Sequence, residues 1–234
     1  MCGRYAASSE VTEIAGWFEA EQLPEVELPA RYNVAPTSES YIVLDDDETR
    51  VVDTARWGLI PSWSKDASHA SRMINARSET VAHKPAFRSA FKRRRCLVPV
   101  DGYYEWHTDE TGPRARKQPY FIHAADGQLL ALAGLFEDWL SPEGTVRTFT
   151  VLTQQPPEWL AQIHDRMPVI VQPDMWDRWL NPATTQDELD PLLADIAQRS
   201  AQGLEAYPVS TVVNRATNEG ANLTEAIGPP LRVG

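Results

Sequence analysis

The spacing of apolar positions divides the chain into many short elements and no long one. Val11, Ile14, Ala15 and Phe18 recur at the spacing of one helix face, and Ser8 or Ser9 can cap that helix. From Leu23 to Pro36 prolines interrupt any period, so the stretch reads as an irregular connection. Tyr41–Leu44 and Arg50–Ile60 flank the acidic turn Asp45-Asp46-Asp47-Glu48 and predict a strand pair. Pro61–Arg72 reads as a loop and Pro85–Arg94 as a short basic helix. Cys96–Val100 and Tyr103–Trp106 predict strands broken at Asp101-Gly102. Pro119–Ala124, Leu129–Trp139 and Val146–Thr153 continue as antiparallel strands, with turns at Asp126-Gly127 and Glu143-Gly144. A short helix at Pro156–Ile163, a strand at Met167–Val171, helices at Asp174–Leu180 and Gln186–Arg199, and a last strand at Tyr207–Val213 complete the pattern.

No linker or repeat interrupts this succession. It predicts one α+β domain over residues 1–234, with a core of about 2–214 and a Pro/Gly-rich tail at 215–234. Its centre is expected to be a mixed, mostly antiparallel, barrel-like β-sheet flanked by short helices. With 42% apolar residues the chain can build a core, and no apolar run approaches the ~20 residues that span a membrane. Glu10 and Glu13 interrupt any N-terminal leader pattern, so a cytoplasmic location is expected.

Charge changes the picture. The net charge of −11 argues at first against a nucleic-acid partner, but residues 50–100 hold 11 basic and 3 acidic side chains. Arg72, Arg77, Lys84, Arg88, Lys92, Arg93, Arg94 and Arg95 lie there, interleaved with Trp57, Trp63, Phe87 and Phe91. A cationic track with aromatic platforms is what single-stranded nucleic acid needs, although Arg93-Arg94-Arg95 also fits a solvated helix end.

Candidate chemistry begins at Met1-Cys2. Removing Met1 leaves an α-amine and a thiol on one residue, two nucleophiles that can close a five-membered ring on one electrophilic carbon. An α-amine has a pKa of ~7.7–8.0 against ~10.4 for lysine, which makes it about 300-fold more available in neutral form at neutral pH. Further polar residues stand in turn-rich apolar strings: Tyr32-Asn33-Val34-Ala35-Pro36-Thr37, Arg56-Trp57-Gly58-Leu59-Ile60-Pro61-Ser62-Trp63, Asn75-Ala76-Arg77-Ser78-Glu79-Thr80, Pro99-Val100-Asp101-Gly102-Tyr103-Tyr104-Glu105-Trp106 and Ile163-His164-Asp165-Arg166-Met167-Pro168-Val169. Aromatic neighbours would raise the Glu105 pKa into the range useful for proton transfer, and His164 titrates near neutrality. Taken alone, Glu105 reads as a solvated or ion-paired strand residue and His164 as a surface residue. His69, His83, His107 and His123 have no metal-ligand spacing, and Cys96 reads as an inert core thiol.

In this order, behind Met1-Cys2-Gly3-Arg4-Tyr5, the strings resemble those of the SOS-response-associated peptidase (SRAP) family, from Cys2 to about Asn214. The resemblance implies a mixed α/β domain around a barrel-like sheet. It also implies recognition of abasic sites in single-stranded DNA, with covalent attachment as a thiazolidine and a shielding role in the DNA damage response. Residue by residue it implies a catalytic set of Cys2, Asn75, Glu105 and His164, with Arg4, Arg77 and Arg166 holding phosphates and Trp63 stacking on a base. It implies no cofactor, no metal and no membrane partner, and a monomer is expected. Two other functions stay open: a cysteine-dependent autopeptidase of the N-terminal-nucleophile type, and a non-covalent reader of single-stranded or modified DNA.

Overall fold

The computed structural model describes residues 2–46, 49–109 and 116–231. Twelve strands and five α-helices follow in order: β1 (Tyr5–Ala7), α1 (Val11–Phe18), β2 (Arg31–Val34), β3 (Glu39–Asp46), β4 (Thr49–Trp57), β5 (Asn75–Arg77), α2 (Arg88–Arg93), β6 (Arg95–Val100), β7 (Gly102–Asp109), β8 (Arg116–Ala124), β9 (Leu130–Ser141), β10 (Gly144–Gln154), α3 (Glu158–Ala161), β11 (Met167–Pro168), α4 (Trp176–Leu180), α5 (Gln186–Arg199) and β12 (Leu204–Pro208).

Five strands close a barrel in the order β10-β4-β3-β6-β9, because β9 pairs back onto β10. Four of its contacts are antiparallel, and the parallel β10–β4 contact, Thr148 opposite Arg56 and Phe149 opposite Trp57, closes the ring. The expected mixed, mostly antiparallel barrel is therefore present. A second sheet, β12-β8-β7-β1-β2, lies beside it, and β5 and β11 both extend the barrel sheet by pairing with the end of β10.

Both faces of the barrel strands are covered, which is why they read as near-continuous apolar runs. Along β3, Tyr41 and Val43 join a core with residues of α1, α4 and α5. Ile42 and Leu44 join another with Cys2, Tyr5 and Tyr103. That second core is the seam between the sheets, and Cys2 is fully buried in it.

Several expectations change. The connection predicted over Leu23–Pro36 contains β2, and the strand predicted over Tyr207–Val213 stops at Pro208, where a 3-10 turn at Thr211–Asn214 takes over. Ser8 and Ser9 do not cap α1: the cap position is Glu10, and both serines bond Asp101 instead. The acidic turn falls partly at positions 47 and 48, outside the described residues. Residues of the tail return to the small sheet, where Leu223 is fully buried and Leu231 bridges Ala206.

Candidate active site

Each candidate side chain is placed by a different piece of backbone. Cys2 leads into β1, which pairs with β7 through Tyr5 opposite Tyr103; the Tyr104 amide also donates to the Arg4 carbonyl at 3.0 Å. This draws the Cys2 end of the chain alongside Glu105 on β7. Asn75 opens β5 and lies opposite Val151 of β10. Its Nδ2 donates to the backbone carbonyl of Cys2 at 2.7 Å. His164 follows α3, just before β11, and its Nε2 stands 3.9 Å from Glu105 Oε2. Cys2, Asn75, Glu105 and His164 thus meet at one place, with the end of β10 supporting two of them.

The electrostatics follow from burial. Glu105 is 3% exposed, and its carboxyl is pushed up to about 7 because burial penalises the charged form. Near neutral pH it can donate or accept a proton. Burial also pushes the Cys2 thiol far above its usual range, and the neighbouring Glu105 charge adds to that, so Sγ carries its proton. The His164 pKa is lowered, chiefly by burial, while Asp165 works the other way. The Arg166 amide donates to His164 Nδ1 at 3.1 Å. Nδ1 also lies 2.9 Å from Asp165 Oδ1, so its two neighbours favour opposite tautomers and the neutral ring can carry its proton on either nitrogen. A gap of 3.9 Å is too long for a direct hydrogen bond between the two side chains.

Glu105 and His164 line a cleft of about 560 Å³ together with Gly3, Arg4, Trp106 and Asn214, whereas Cys2, fully buried, and Asn75 lie behind its wall. Arg4 lies over the Trp106 ring at 5.7 Å and donates to Asn33 Oδ1 and to the carbonyls of Val213 and Asn214. It shapes the cleft rim as well as charging it. Arg166 is held by a two-pronged bond to Glu79 and by the Thr153 carbonyl, so a phosphate would have to compete for it. Arg77 is exposed at the end of β5, and Trp63 is 69% exposed on the loop after β4. Among the described residues, Trp63 is not one of those that line the cleft.

The basic track changes most. Arg95 is buried, donating to the carbonyls of Phe91, Lys92, Trp179 and Asn181, and Arg94 is paired with Glu137. Phe91 and Trp57 are core residues with no exposed face for a base. The run reads as basic, but its last arginine turns inward because four helix-end and loop carbonyls need a donor. Sequence reasoning missed the roles of Asn33, Asp101, Thr108 and Lys117. Thr108 and Lys117 also line the cleft, and neither belongs to the strings that drew attention to the others.

The fold and site define a class: a barrel-centred domain with a buried cysteine near its N-terminus, beside an amide, a neutral-range carboxyl and an imidazole. A family model described as "SOS response associated peptidase (SRAP)" matches residues 1–216, and the chain belongs to that family. It is 41% identical to the abasic site processing protein YoqW of Bacillus subtilis, over 97% of this chain and 100% of that one. It is 34% identical to the abasic site processing protein HMCES of Xenopus tropicalis, over 86% of this chain and 69% of that one. Among solved structures, a protein from Bacteroides thetaiotaomicron superposes with a TM-score of 0.82 at 25% identity, covering 96% of this chain and 99% of that one.

Proposed function

We propose that the protein recognises abasic sites in single-stranded DNA and joins them covalently through Cys2 once Met1 has been removed. The observation that carries this is the Asn75 contact to the Cys2 carbonyl beside a carboxyl whose pKa lies near neutrality. Both relatives named above, YoqW and HMCES, are abasic site processing proteins, which supports the substrate.

An abasic deoxyribose opens to an aldehyde at C1′ when a proton leaves its hydroxyl and one reaches the ring oxygen. Glu105 and His164 serve as the donor and acceptor of those protons. The Cys2 amine, steadied by Asn75 through the adjoining carbonyl, attacks C1′. The resulting carbinolamine loses water, with Glu105 supplying the proton, and an imine forms. Sγ then adds to the imine carbon while its proton passes through the Glu105 carboxylate to the nitrogen. The sum is aldehyde plus aminothiol giving thiazolidine plus water, with no oxidation or reduction. The high thiol pKa suits this order, with the amine first and the sulfur second. An autopeptidase would need the thiolate as first nucleophile, and burial of Sγ opposes that.

Intact mass spectrometry with abasic single-stranded DNA tests the proposal. The expected product is one DNA adduct per protein, less one water, stable to heat. Cys2→Ser keeps the amine and should yield only an adduct that heating removes unless borohydride has reduced it. A heat-stable adduct on Cys2→Ala would sink the mechanism.

A further inference from the structure

Lys117 and Arg4 are both cleft cations, but they are differently engaged. Arg4 is spent on Asn33 and two carbonyls. The Lys117 side chain is exposed and makes no hydrogen bond or ion pair among the described residues, although its charge is felt at His164. It stands on β8 opposite Thr108 of β7, and paired residues of antiparallel strands face the same way. Trp106, two residues before Thr108, shares that face. The face therefore presents the Trp106 indole, over which Arg4 lies, and beyond it the Thr108 hydroxyl beside the Lys117 ammonium. The three residues from Glu105 to Thr108 span ~10 Å of strand.

We infer that Lys117 is a phosphate-holding residue of the cleft, taking a backbone phosphate of the strand that leaves the lesion across Trp106 and Thr108. This rests on the proposed function and adds a contact outside the sequence strings. Lys117 positions DNA and takes no part in bond making.

The test is non-covalent binding of a single-stranded oligonucleotide carrying a tetrahydrofuran abasic analogue, which has no aldehyde, measured over a range of salt. One lost phosphate contact on a single strand lowers the log–log salt slope by about 0.7, or about 5-fold in affinity at 0.1 M salt if the affinities converge at 1 M. Lys117→Met should show that change, Lys117→Arg should restore the wild-type slope, and Arg178→Gln on α4 should leave it unaltered. A Lys117→Met slope equal to wild type overturns the inference, as does an equal drop for Arg178→Gln, which would mean net charge alone is felt. If the wild-type protein shows no salt-dependent binding at all, the parent proposal fails with it, and the two failures are told apart.

Discussion

Glu105 is buried at the price of a proton. Its pKa in the folded protein is near 7 against an ordinary 4.5, so the native state binds the proton more tightly than the unfolded chain. The sign is therefore unusual for a carboxylate: stability is fully present below about 4.5 and falls as pH rises towards 7. The loss is on the order of 3 kcal/mol. Glu105→Gln should remove that dependence, so urea unfolding at pH 5 and pH 8 should show the wild type losing stability relative to the variant. No difference in their pH trends would mean the carboxyl is not held this way. Asn75 offers a second test at this scale. Removing its donor in Asn75→Ala should slow adduct formation by roughly 3- to 10-fold, the worth of about one hydrogen bond. Asn75→Asp should slow it more, because it sets a carboxylate against the Cys2 carbonyl and near Glu105. Single-turnover rates on abasic oligonucleotide measure both.

At the scale of elements, the N-terminal strand depends on a pin. The Asp101 carboxylate accepts from the Ser8 amide at 2.6 Å, the Ser8 hydroxyl at 2.7 Å and the Ser9 hydroxyl at 3.1 Å. Asp101→Ala should cost about 2 kcal/mol, seen as a lower urea midpoint, and should loosen β1. These serines also show where sequence patterning stopped. A serine before an apolar helix face is a good cap by local rules, yet a carboxylate far along the chain claimed both. Long strands such as β9 and β10 were legible because enough residues alternated or ran apolar. β1, β2 and β5 are three or four residues long and carry no period of their own; their partners supply their conformation. The four candidate reactive residues were visible as polar residues in ordered strings. Lys117 was not, since an isolated lysine on a strand has no local signature, and only the β7–β8 register puts it on the cleft. The inward turn of Arg95 was hidden for the same reason, its acceptors on α4 and the residue after it being remote in sequence.

The whole molecule rests on closing the barrel, and Gly134 lies where β9 meets both neighbours, opposite Cys96 on β6 and Val151 on β10. A Cβ there would come within 2.8 Å of Cys96 Sγ and 3.3 Å of the Thr150 carbonyl. Gly134→Ala should therefore destabilise the protein by ~1–3 kcal/mol, and adding Cys96→Ala should recover part of that loss. Thermal denaturation of the single and double variants checks the coupling; independent effects would show that the clash is relieved elsewhere.

The seam between the two sheets also sets a schedule. Cys2 precedes the small sheet's first strand, whereas Asn75 and His164 are held by the end of β10, and β11 must be in place before His164 is fixed. Cys2 precedes Asn75, Glu105 and His164 in the sequence, so a chain made from its N-terminal side completes the surroundings of Cys2 only once His164 and β11 have emerged.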